Sequence, residues 1–179
     1  MKKKGIWAAS AVLLIALIIY SQKIYFPIEG TVVDAETGKP IEGAVVLAEW
    51  TITRGIALTA TEPYEAVEMT TTKNGKFNIN IHVLNPFVNK PDLTIYKAGY
   101  VCWNNKFIFP GYKPIGEYMW KSNLTYAMEK FRKEYSYIEH VHFIESRVTT
   151  FTLVENKSAF IKAYWWERLA AQEESRRDK

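Results

Sequence analysis

A mostly-β chain, folded as a seven-stranded β-sandwich with an apolar N-terminal helix and a two-helix C-terminal extension, is what this sequence predicts. Three observations carry the prediction. Two β-branched runs within residues 28–50 flank the turn cluster DAETGKP at 34–40, which reads as strand, turn, strand. The pair Asn74-Gly75 is the strongest short hairpin signal, because both central residues of that turn take positive φ. Phe77, Ile79, Ile81 and Val83 alternate with Asn78, Asn80 and His82, the period of a strand with one face buried.

The other elements follow in order. Strands are expected at 28–34 and 44–50, whereas 51–66, interrupted by Gly55 and Pro63, reads as a long loop or a stray edge strand. A strand should precede the turn at 73–75 and another should fill 76–83. Further strands fit 92–97, the stretch from Val101 onward, and 124–128, where Leu124, Tyr126 and Met128 share one parity. Seven short strands at this spacing point to a sandwich.

Ile28, Gly30, Val32, Asp34, Thr37, Gly38, Pro40, Ile41, Gly43, Ala44 and Val46 stand in an order that resembles the carboxypeptidase regulatory-like domain family. The run TKNGKFNI at 72–79 and Leu93, Ile95, Lys97, Ala98, Gly99 and Tyr100 extend the resemblance across about 27–130. It implies a transthyretin-like (prealbumin-like) sandwich. It implies little about activity, because the shared positions are turns and core, and a fold does not fix a function. In carboxypeptidases this module sits beside the zinc domain and holds none of the zinc ligands.

The N-terminus reads as an address. Lys2, Lys3 and Lys4 precede sixteen residues, 5–20, without a charge. As a helix these span about 24 Å, short of the roughly 30 Å hydrocarbon core. The run lacks a small-x-small cleavage site, no cysteine follows it, and Ile24, Tyr25 and Phe26 continue its apolar character. An uncleaved signal-anchor over 1–26 is expected, with a cleaved signal peptide and secretion as the alternative. Either way the lysines stay cytoplasmic and the main domain becomes periplasmic or otherwise extracytoplasmic. Of the net charge of +4, all belongs to Lys2, Lys3, Lys4 and Lys23, leaving 19 bases against 19 acids from Ile24 onward. That distribution suits membrane orientation and argues against a nucleic-acid partner.

No catalytic residue, metal or cofactor is expected. A zinc centre needs three converging protein ligands, and His82, His140 and His142 are the only histidines. Glu139 and His142 have the spacing of carboxylate-bridged metal bundles, but those need a second such pair and further glutamates. They read as a solvated helix face. The lone Cys102 rules out an intramolecular disulfide and reads as a small strand residue. An enzyme would have to group Glu62, Glu65, Glu68 and His82. The expectation is a non-enzymatic module of a cell envelope with a protein partner.

Two surfaces are candidates for contact. Residues 96–121 hold eight aromatics and four lysines against one acid, a composition able to bind a peptide or a glycan. Trp103, Phe107, Tyr112, Tyr118 and Trp120 would form that surface, unless Trp103 and Phe107, which share a parity, fill the sandwich instead. Ser136 and Glu139 form a capping box, starting a helix with the stripe Tyr137, Val141, Ile144 and Val148. A second helix from about Ser158 carries Ile161, Trp165 and Leu169 in line, with Phe160 and Tyr164 alongside. Ile161, Tyr164, Trp165 and Leu169 are the candidate docking face if they do not pack on the sandwich. Against a membrane, Lys162 and Arg168 would suit this helix, whereas Glu173 and Glu174 would not.

Overall fold

A computed structural model describes residues 28–55, 58–80, 85, 87–148 and 158–177. The predicted anchor over 1–26 lies outside the described residues, as do Ile81, His82 and Val83. Among the described residues no helix is long and apolar enough to cross a membrane.

The fold is mostly β with two C-terminal helices. In chain order the strands are β1 (Ile28–Asp34), β2 (Val45–Arg54), β3 (Ala60–Thr70), β4 (Lys76–Ile79) and β5 (Asp92–Tyr96). They are followed by β6 (Trp103–Asn104), β7 (Phe107–Ile108), β8 (Lys113–Pro114) and β9 (Leu124–Met128). Helix α1 spans Tyr137–Arg147 and α2 spans Ala159–Arg177. One sheet has the order β4-β1-β9, with β1 antiparallel to β4 and parallel to β9. The second has the order β3-β2-β5-β6 and is antiparallel throughout, while β7 and β8 form a separate hairpin.

The two sheets face each other in a sandwich-like arrangement. Ile28 and Val32, Phe77 and Ile79, and Tyr126 and Met128 meet Val46, Ala48, Trp50, Ile52, Leu93 and Ile95 in one apolar core. A second core lies on the far side of the four-stranded sheet. There Val45, Leu47 and Tyr96 pack against Val141, Phe143 and Ile144 of α1 and Phe160 and Tyr164 of α2. Strand β2 is thus buried on both faces, which explains its near-continuous apolar run.

Of the two readings of residues 51–66, a long loop or a stray edge strand, the structure takes the second in the main: β2 runs on to Arg54 and β3 returns from Ala60 along the edge of the sheet. Strand β3 is a sheet edge, mostly exposed, so no buried alternation marks it in the sequence. Its register with β2 shifts between Trp50↔Glu65 and Thr51↔Pro63, leaving Tyr64 as the extra residue of a bulge that accommodates Pro63. The strand expected from Val101 shrinks to Trp103 and Asn104. Asparagine side chains replace the ladder there: Asn105 Oδ1 accepts from Leu93 N at 3.0 Å and Asn104 Oδ1 from Lys106 N at 2.9 Å, a local alternative to strand pairing.

The 34–40 turn is organised by Asp34, whose carboxylate accepts from Thr37 N at 2.8 Å, Thr37 Oγ1 at 2.9 Å and Tyr100 Oη at 3.0 Å. The Thr37 amide above all, helped by the Thr37 and Tyr100 hydroxyls and by Lys130, holds its pKa down at about 2 against an ordinary 3.8. A depressed folded value means the carboxylate stabilises the fold above pH 4, and that this is lost as pH falls from about 4 to about 2. Asp34→Asn is therefore expected to lower the urea midpoint at neutral pH, with the gap to the parent closing as pH approaches 2. A gap that stays constant with pH would refute the assignment.

Candidate functional site

The five aromatics predicted as one surface fall into two groups. Trp103 of β6 and Tyr126 of β9 meet edge-on across the margin of the sandwich, ring centroids 5.0 Å apart. Tyr118 packs on Trp103 at 5.9 Å and on Trp120 at 4.9 Å, and its hydroxyl donates to Tyr126 Oη at 3.3 Å. Trp103, Tyr118 and Tyr126, with Met119, Lys121 and Leu124, line an open cleft of about 250 Å³, and Trp120 backs Tyr118 without lining it. Phe107 and Tyr112 lie elsewhere, against α1. The Arg147 guanidinium sits 4.1 Å from the Phe107 ring, and Tyr112 stacks edge-on with Phe143 at 5.4 Å. Trp103 and Phe107 therefore do not share a core: the first joins the sandwich interior and the second the helix-side core. The break between β6 and β7 re-aims the chain, so the parity count across it fails.

The cleft offers ring faces, two phenols and one ammonium. Burial pushes both the Tyr118 and Tyr126 phenols up, so they keep their protons near neutral pH. Such a surface suits stacking and hydrogen bonding.

On α2 the predicted face divides as well. Tyr164 turns inward and donates from its hydroxyl to Glu145 Oε1 at 2.7 Å. Trp165 and Leu169 point outward, 52% and 47% exposed, with Ile161 half-buried. The inward line is Phe160, Tyr164, Glu167 and Ala171, one step round from the predicted stripe.

What the sequence reading missed is a buried polar network between helices and sheet. His140 and Glu167, 0% and 1% exposed, bond through Nδ1 and Oε1. Tyr96 Oη donates to Glu167 Oε2 at 2.6 Å, and Cys102 N donates to His140 Nε2 at 2.8 Å. Because the amide can only donate, Nε2 holds the lone pair and the ring proton sits on Nδ1, facing Glu167. Burial, reinforced by the Glu167 charge, pushes the Tyr96 phenol far above its ordinary range. Burial likewise raises the Cys102 thiol well above its usual value, which leaves it a thiol and a poor nucleophile. The signal for His140 was available: it lies three residues after Tyr137 and four before Ile144, on the buried stripe of α1.

Acids cap both helices from other elements. Glu68 of β3 accepts from the Ser158 hydroxyl and, at 2.7 Å, from Ala159 N. Glu174 of α2 accepts from Tyr137 N at 2.8 Å and Ile138 N at 3.2 Å. Each carboxylate meets the unpaired amides and the positive end of a helix dipole. Glu62, Glu65 and Glu68 do not converge: Glu62 and Glu65 stand opposite Ile52 and Trp50, on the sandwich side, and Glu68 opposite Leu47, on the helix side. Among the described residues no three His, Cys, Asp or Glu side chains are grouped to hold a metal.

Comparison with family models, curated proteins and solved structures gives no match for this chain.

Proposed function

We propose that this protein is a non-enzymatic, membrane-anchored module of a cell envelope, exported with its N-terminus in the cytoplasm and serving a structural or protein-interaction role. Secretion after signal cleavage is the alternative placement. Its body would be a seven-stranded transthyretin-like sandwich of the carboxypeptidase regulatory-like kind. The three-plus-four strand pairing supports that fold, and the apolar run behind three lysines supports the anchor. The observation that carries the functional reading is how the ionisable side chains are used. Asp34, through Tyr100, and Glu68, His140, Glu167 and Glu174 each bind backbone or side-chain partners that join one part of the fold to another. That is scaffold chemistry.

The second reading is a peptide- or glycan-binding protein. It is favoured by the aromatic cleft at Trp103, Tyr118 and Tyr126, a concave site with few polar groups. Phe107 and Tyr112, packed on α1, belong to no such site.

Deleting 131–179 would uncover Val45, Leu47 and Tyr96, so the test uses surface positions instead. A photo-crosslinking residue at exposed Met119 or Ile108 of the full chain is expected to give one discrete adduct with an envelope protein. Peptide or glycan binding that Tyr118→Ala abolishes, without any protein adduct, would move the assignment to the second reading. If neither is observed, both readings fall.

A further inference from the structure

We propose that the outer face of α2 lies on an anionic lipid surface. The helix sorts its charges by side. Glu167 is buried against His140, and Glu174, half-buried, is turned onto the N-terminus of α1, so one of its three acids is buried and a second is engaged by the α1 amides. Lys162, Arg168, Arg176 and Arg177 are exposed, and Glu173 is the one exposed acid. Arg168 is shared, 3.4 Å from Glu145 of α1 and 5.5 Å from the Trp165 ring. The outward line Ile161, Trp165, Leu169 and Arg176 keeps to one side of the helix over about four turns, at intervals of four, four and seven residues. An apolar stripe bearing tryptophan, flanked by basic residues, is the pattern of a helix lying in a membrane interface. The objection raised by Glu174 in the sequence is removed by its cap.

The chain also supplies proximity. The segment read as an anchor ends at 26 and β1 begins at Ile28, so a tether this short holds the folded body close to the headgroups. Weak interfacial contacts then act at high effective concentration. This step rests on the anchoring reading above.

The test uses the full chain in nanodiscs, with a spin label on Leu169→Cys. Cys102 is buried and stays unlabelled. In phosphatidylcholine discs containing phosphatidylglycerol, the label is expected to gain oxygen access and lose access to a water-soluble nickel complex. Lys162→Glu combined with Arg176→Glu should return it to water while the circular dichroism spectrum stays that of the parent. A label that remains aqueous in such discs, in a chain that has entered them, overturns the proposal and leaves the anchor standing. Dipolar broadening between labels, showing a second copy on this face, also overturns it, as does a discrete protein adduct from a photo-crosslinker at Trp165. A chain that fails to enter the discs overturns the anchor and this proposal together.

Discussion

Glu167→Ala is expected to destabilise the protein by about 3–5 kcal/mol, because the change leaves a cavity and strips two buried donors of their acceptor. The donors are His140 Nδ1 and Tyr96 Oη, which between them hold both oxygens of the carboxylate. In a chain of this size that should lower Tm by roughly 10 °C or more. Urea unfolding followed by circular dichroism reads the effect, with exposed Glu173→Ala as a control expected within about 0.5 kcal/mol of the parent. Equal midpoints for the two variants would mean the network does not form in solution.

Buried polar clusters can often be exchanged for apolar residues of similar volume with little loss. Here the backbone prevents it. Cys102 N donates to His140 Nε2, so an apolar residue at 140 would orphan a buried amide, at about 1–3 kcal/mol. The imidazole is the link by which a loop of the sheet, which offers only a donor, is joined to an acid on α2. His140 thus accepts on one side and donates on the other, which neither leucine nor lysine can do. The same logic runs through Glu68 and Glu174. The apolar core beneath them holds the helices on the sheet, acceptors aimed at amides fix how they sit there and on each other, and surface ion pairs contribute little.

Much of the sandwich was legible because its signals are local. Strand β1 at 28–34 and strand β9 at 124–128 follow from parity and turn residues alone, and Ser136 marks the start of α1 as its capping residue. Strand β3 was legible only as one of two options, a loop or a stray edge strand, since an exposed edge strand needs no alternation and Pro63 reads as a break. The aromatic surface was half legible. Tyr118 does adjoin Trp103 and Trp120 adjoins Tyr118, but the asparagine-built break after Trp103 sends Phe107 to another core. The polar network was hidden for a different reason: His140, Glu167 and Tyr96 are brought together only by docking α2 on the sheet. In sequence, Glu167 reads as one more charge on a helix. Burial of α2 also reassigned its stripe, and a stripe one position round from the predicted one leaves Trp165 and Leu169 outside.

Gly30→Ala should be the most damaging single-methyl change in the three-stranded sheet, at about 3 kcal/mol, the upper end of ordinary overpacking. A Cβ at this position would lie 2.4 Å from Tyr126 Cε2 and 2.5 Å from the Leu124 carbonyl oxygen. The ring could in principle swing away. The carbonyl cannot, because Gly30 is paired with Leu124 in the parallel ladder between β1 and β9. Strand β9 would have to move, taking Leu124 and Tyr126, two walls of the aromatic cleft, with it. Tyr126→Leu placed in the same chain separates the two clashes. If the ring alone were the obstacle, the double variant would recover most of the lost stability in urea unfolding. The expected result is that it recovers little, because the backbone contact remains. Full recovery would show that β9 is held less firmly against β1 than their register implies, and that the cleft can open by movement of Tyr126 alone.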